Sequence, residues 1–188
     1  MRLFAEILAN GSPTEQAATD PAELSPFFLG GQGDRVHALV TLAAPTNGTT
    51  AYDLWDDPNF DPDSVEIPKS EILMGKLFNG GSKRDRDSRI EDDYAAYDMH
   101  IDNALALNAT IQTRPDVYYF AVPCSASGKE YTGNYAPNTL RMEGMFRKTS
   151  RLMGAYTGTT RGGVVIDDSW RENDGLVNTI SSYAPFGA

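Results

Sequence analysis

The stretch Val36-His37-Ala38-Leu39-Val40-Thr41-Leu42-Ala43-Ala44, stopped by Pro45, decides the fold. It is a near-continuous apolar run of strand length, and such runs suit a central parallel strand buried on both faces. A second run, Val117-Tyr118-Tyr119-Phe120-Ala121-Val122, is β-branched and aromatic and ends at Pro123. Between them, Asp98 is placed to cap a helix reaching about Thr110, with Ala104, Leu107 and Ile111 on one face. Strand, excursion, helix and strand in that order predict an α/β fold with a mostly parallel sheet.

Outward from this unit, Leu3, Phe4, Ile7 and Leu8 recur at helical spacing and Asn10-Gly11 supplies a stop, so the chain opens within an amphipathic helix. Residues Ser12 to Gly33, rich in Pro, Ser, Gly and acids, read as a surface connection. The region from Ala51 to Asp93 is acidic and punctuated by proline, an excursion from the sheet with a short helix near Glu71 to Phe78. From Gly128 to Gly163 the apolar residues are Met142, Met145, Phe146, Leu152 and Met153, read as plain packing or as a mobile segment beside a cleft.

The chain has 188 residues, 40% of them hydrophobic and 22% charged, which fits one globular domain. Its net charge of -10 repels phosphate backbones, so no nucleic-acid partner is expected. The single cysteine, Cys124, cannot close an internal disulfide. No apolar run reaches the roughly 18 residues that cross a bilayer, so no membrane span is expected. Met1 to Glu6 lacks the apolar core of a secretion signal.

The chemistry concentrates near the end of the chain, in Asp167-Asp168-Ser169-Trp170-Arg171-Glu172-Asn173-Asp174-Gly175-Leu176-Val177-Asn178-Thr179. Asn173-Asp174-Gly175 taken alone is a turn former. An Asp in a sharp turn just beyond a sheet nonetheless needs a partner, and a histidine is the partner a catalytic triad provides. Ala43 to Thr50 follows the first strand at the carboxyl edge, where open α/β sheets place their sites. Asp56, Asp57, Asp61, Asp63 and Glu66 could offer oxygens to calcium, but their spacing misses the regular calcium-loop pattern, which leaves a solvated acidic loop. One carboxylate of Glu91-Asp92-Asp93 could hold a metal, although zinc normally wants histidine or cysteine as well. His37 reads as a core histidine within the first strand, and His100 as an exposed residue near a helix start. No Gly-x-Ser-x-Gly elbow is present.

Four segments taken in order resemble the large bacterial true lipases of the α/β-hydrolase fold that carry a metal-stabilised lid region. They are Arg2 to Ser12, Ala43 to Thr50, Tyr97-Asp98-Met99-His100 with its helix through Asn108, and Ile166 to Thr179; Thr132 to Tyr135 and the strand at Val117 to Val122 also fit. The resemblance covers essentially the whole chain and implies a single, incomplete α/β-hydrolase domain over residues 1–188. Its insertion spans about 51–96, and its amino-terminal strands and nucleophile elbow fall before Met1. The family's catalytic acid carries over to Asp174, and one of its zinc ligands to Asp93. The serine, the histidine, the other zinc ligands and most of a calcium site fall outside the chain. Thr46-Asn47 replaces a His-Asp pair common in relatives, and the acidic insertion from Ala51 to Asp92 is shorter than in the large thermostable members.

The resemblance implies a triacylglycerol lipase-like ester hydrolase, secreted, acting on ester lipids through Asp174, with this chain inactive alone. Tyr52, Leu54, Trp55 and the stretch Met142 to Met153 are candidates for the lid or acyl cleft. The alternatives are a non-catalytic metal- or lipid-binding module and a fragment that complements a separate amino-terminal half. Without the amino-terminal strands, Val36 to Ala44 is expected to present an open edge and an apolar face, which invites aggregation.

Overall fold

The computed structural model describes residues 2–69, 71 and 95–186. Helix α1 (Arg2–Asn10) buries Ala5 and Leu8 and ends where Gly11 turns to φ +80°, its N–H returning to the Ile7 carbonyl at 2.8 Å. The segment after it is more regular than its composition suggested. Ser12 caps a second helix, α2 (Pro13–Ala18), whose first position is proline, and two short 3₁₀ turns follow at Pro26–Leu29 and Gly33–Arg35.

Strand β1 (Ala38–Leu42) runs parallel to β2 (Tyr118–Val122), with Ala38 opposite Tyr118 and Leu42 opposite Val122. The parallel pairing and the crossover agree with the expectation; burial on both faces does not. Val40 is 56% exposed, Leu42 69%, Tyr118 72% and Phe120 54%. Strand side chains alternate, so these residues share one face, and nothing among the described residues covers it. The pair is also a complete two-stranded sheet among those residues, which leaves an open edge on each side. His37 is correspondingly not a core residue: it is exposed, one position before β1, where its carbonyl accepts the Tyr118 N–H.

The expected helix up to Thr110 is present but broken. Helix α3 (Thr50–Asp53) leaves the loop after β1, α4 (Ala95–Met99) precedes His100, and α5 (Ile101–Thr110) follows it. His100, not Asp98, stands at the start of α5, in extended backbone at φ -66° and ψ 141°. The break has a cause in the neighbouring loop. The Met99 carbonyl receives the Thr49 N–H at 2.8 Å, and the Ile101 N–H is taken by the Asp53 carboxylate at 3.1 Å. Two backbone groups that would have continued one helix are thereby satisfied from outside it. Ala104 and Ile111 are buried as expected, whereas Leu107 lies at the surface.

The hairpin β3 (Ser127–Lys129) and β4 (Tyr135–Pro137) precedes α6 (Gly144–Ala155), and a two-residue ladder joins β5 (Gly158–Thr159) to β6 (Val165–Ile166). The core lies between these later elements and the adjoining ends of α3 and α5: Leu54, Ile101, Leu152, Met153, Tyr156, Ile166 and Trp170 form one buried cluster. Each large apolar side chain buried there contributes on the order of 2 kcal/mol. Helix α6 rides so close on β4 that a Cβ at Gly154 would overlap the Tyr135 carbonyl. Leu54, Met142, Leu152 and Met153 are all buried, as the packing reading expects. Most of the short helix expected near Glu71 to Phe78 lies outside the described residues.

Candidate functional site

The loops leaving the carboxyl ends of β1 and β2 meet at the acid segment. Beyond β1 the chain passes through Ala43 at φ +47°, a non-glycine residue in left-handed backbone, and through Gly48 at φ +81°. A Cβ on Gly48 would stand 2.5 Å from the Ile101 Cα, so this loop lies directly on the start of α5. Asn47, fully buried, donates its amide to the carbonyls of Ser181 and Ala184 and accepts the Phe186 N–H.

Two further buried residues carry the acid segment. Thr49 donates its hydroxyl to the Leu176 carbonyl at 2.6 Å. Asn178, also fully buried, accepts the Thr50 N–H at 2.9 Å and donates to the Thr50 hydroxyl at 2.8 Å and to the Trp170 carbonyl. The loop after β2 holds the other flank. Ala126 N–H reaches the Asn173 carbonyl at 3.1 Å, Ser127 Oγ accepts the Asn173 N–H at 2.9 Å, and Thr179 donates to the Cys124 carbonyl at 3.1 Å.

Inside this frame Asn173 and Asp174 shape the turn. The Asn173 amide donates to the carbonyls of Ser150 and Arg171, and its Oδ1 accepts the Gly175 N–H. Gly175 takes φ +98°, and a Cβ there would lie 2.7 Å from the Phe146 Cβ, so glycine is required twice over. Asp174 is half-buried, with Oδ1 accepting the N–H groups of Leu176 and Val177 at 2.9 and 2.7 Å. Oδ2 accepts no hydrogen bond from the described residues, and neither histidine is bonded to Asp174. The arrangement is a carboxylate with one oxygen fixed by its own turn and the other free to accept a proton donor from outside.

His100 is the residue whose environment departs furthest from the sequence reading. Expected to be exposed, its side chain retains only 12% exposure, with Nδ1 3.5 Å from Asp53 Oδ1 and its ring 5.8 Å from that of Tyr52. Hydrogen bonding to Asp53 raises its pKa above the usual imidazole value against the opposing effect of burial, with the Asp53 and Asp56 charges adding to the rise and Arg161 opposing it. Nearby, burial first and the hydrogen bond to Asp57 second push the Tyr156 hydroxyl upward.

The acidic loop is held together by its own backbone. Asp57 also caps Asn59, Asp61 caps the 3₁₀ turn at Pro62–Ser64 through the Asp63 N–H, and Asp56 lies 3.8 Å from Arg161. Trp55 and Val65 border a shallow cavity together with Lys148. Asp93, the expected zinc ligand, lies outside the described residues. Among those described, no group of three or more His, Cys, Asp or Glu side chains could hold a metal ion. No described helix is long and apolar enough to cross a membrane.

A family model described as "Lipase-like, C-terminal domain" matches residues 81–188, more than half of the chain. The chain belongs to this lipase-like family. It is similar to Lipase 1 of Staphylococcus aureus (strain MRSA252), with 28% identity over 214 residues that cover 99% of this chain and 29% of the relative. With the lipase of Staphylococcus epidermidis it shares 29% over 208 residues, again 99% of this chain and 29% of the relative. Among solved structures, EstA from Clostridium botulinum superposes with a TM-score of 0.74 and 30% identity over 98% of this chain and 48% of that one. Staphylococcus hyicus lipase gives 0.68 and 26% over 100% of this chain and 51% of that one. The lipase-like chain thus spans under a third of its curated relatives and about half of these solved chains.

Of the residues singled out in the sequence, the fold brings Asp174, the Ala43 to Thr50 loop and the strand ends into one place. It puts Leu54 and Met153 elsewhere, in the core cluster, and buries Met142 with its sulfur against Gly175 of the acid turn. Sequence reasoning missed Asn178 and the pair of His100 with Asp53. Both depend on partners far along the chain, 128 residues for Asn178 with Thr50 and 47 for His100 with Asp53, and no local pattern marks such contacts.

Proposed function

We propose that this lipase-like chain is the carboxyl-terminal portion of a serine ester hydrolase acting on ester lipids, that Asp174 is the acid of its triad, and that residues 1–188 alone are inactive. The observation that carries the reading is the Asp174 turn, hung from the carboxyl ends of both parallel strands with one carboxylate oxygen free. In a triad the serine attacks the acyl carbonyl, the histidine takes and returns the proton, and the acid orients the imidazole and stabilises its cation. Asp174 supplies the last of these roles. The serine, the histidine and the oxyanion-hole amides come from segments outside residues 1–188, the nucleophile from an amino-terminal half that also covers the exposed face of β1 and β2. Residues 1–188 act as one incomplete domain with an insertion at about 51–96, Asp93 contributes to a zinc site completed by that half, and the assembled enzyme is extracellular.

The test is hydrolysis of a short-chain nitrophenyl ester. The 188-residue chain alone is expected to give no turnover, because losing two triad members removes the chemical step. A protein that joins it to the amino-terminal and carboxyl-terminal segments of a full-length relative is expected to turn over, and Asp174→Asn to lower its kcat on the order of ten-thousand-fold, as in the worked protease case. Turnover by the chain alone overturns the inactivity, and a joined protein indifferent to Asp174→Asn overturns the assignment of the acid.

A further inference from the structure

One carboxylate joins the end of α3 to the start of α5. Asp53 is 10% exposed in its side chain; its Oδ2 accepts the Ile101 N–H at 3.1 Å, and its Oδ1 lies 3.5 Å from His100 Nδ1. The first contact is a helix cap of ordinary length. The second is long for a hydrogen bond and works best as an attraction between opposite charges. Helix α3 is a single turn, and its opposite end holds the acid segment through Thr49 to Leu176 and Thr50 to Asn178. Asp53 and the residues that hold the acid turn thus stand at the two ends of one four-residue helix.

The surroundings favour a charged imidazole. His100 borders a cavity of about 670 Å³ shared with Asp53, Asp56, Asp57, Asp102 and Arg161. Asp56 and Asp57 come from the loop after α3, Asp102 from α5, and Arg161 from the turn between β5 and β6, so the acids outnumber the one arginine. Asp102 is bonded to the Thr160 hydroxyl and the Gly162 N–H, and Asp57 to the Tyr156 hydroxyl; Arg161 is itself 3.8 Å from Asp56.

We propose that His100 and Asp53 form a proton-operated clasp: with His100 charged, α3 and the turn it carries are held against α5, and with His100 neutral that hold loosens. The clasp does not depend on Asp174 serving a triad. Because the folded state raises the imidazole above its unfolded value, the stabilisation is full below that unfolded value and is lost as pH rises through the folded one.

The test is deuterium exchange on the 188-residue chain, read by mass spectrometry. Exchange at the imidazole C2–H gives a titration midpoint for each histidine separately, and the exposed His37 serves as the internal control. Asp53→Asn is expected to lower the His100 midpoint and leave that of His37 in place. Amide exchange in peptides covering residues 49–54 and 173–180 is then compared with that of His100→Gln. At about pH 5.5 the unaltered chain is expected to be several-fold more protected, and at about pH 8.5 the two are expected to exchange alike. A His100 midpoint indifferent to Asp53→Asn, or equal protection at both pH values, overturns the clasp. Should Asp53→Asn not fold, the comparison with His100→Gln decides alone.

Discussion

The β1–β2 pair and the body beyond its carboxyl ends are built from the same chain to opposite standards. In the pair, Val40, Leu42, Tyr118 and Phe120 present an apolar face to solvent. In the body, Asn47, Asn173, Asn178, Thr50 and Ser181 are buried almost completely, and each is hydrogen-bonded. Buried polar groups cost free energy unless satisfied, and these five side chains find their partners among the described residues. Contiguous exposed apolar faces of this kind mark interaction surfaces or aggregation liabilities. The difference separates a part of the molecule whose buried amides and hydroxyls are largely paired within the described residues from one whose apolar face none of those residues covers.

The comparison breaks most sharply at Gly154. Replacing it with alanine drives a Cβ into the Tyr135 backbone, which cannot yield as a side chain can, and a loss of about 3 kcal/mol or more is expected in a urea melt. Gly128→Ala, in open space on β3, is the control and is expected to change stability by less than about 1 kcal/mol. A similar response at the two glycines would mean that α6 does not rest on β4.

Asn178→Ala comes next. It leaves the Thr50 N–H and the Trp170 carbonyl without partners, and a loss of about 2 to 4 kcal/mol is expected by the same measurement. The smallest effect on stability belongs to the open sheet. Val40→Lys and Phe120→Ser are expected to shift the melt by no more than about 0.5 kcal/mol while slowing aggregation followed by light scattering. A large destabilisation from either would place that face inside the core and remove the contrast.

The parallel pair was legible because Val36 to Ala44 and Val117 to Val122 are apolar runs of strand length ended by proline, and a crossover of suitable length lies between them. Their exposure was not, because an apolar run reports how well a segment tolerates burial and not whether anything covers it. The same limit explains Met142 and Met153, whose flexibility suits a cleft and a core equally until neighbours are fixed. The helix near Asp98 was found but its break was missed, since the groups that interrupt it, Thr49 and Asp53, come from the other side of the insertion.

What the sequence determined by itself was local or ordered along the chain: strand and helix types, the turn chemistry of Asn173-Asp174-Gly175, and the succession of segments that identifies the lipase-like family. What the tertiary structure decided was which polar groups meet. The Asn178 contacts with Thr50, the Asp53 contacts at His100 and Ile101, and the hold of both strand ends on the Asp174 turn join residues far apart in the chain. A hydrogen bond is satisfied by position in space, and position in space is fixed only when the apolar core has closed around it.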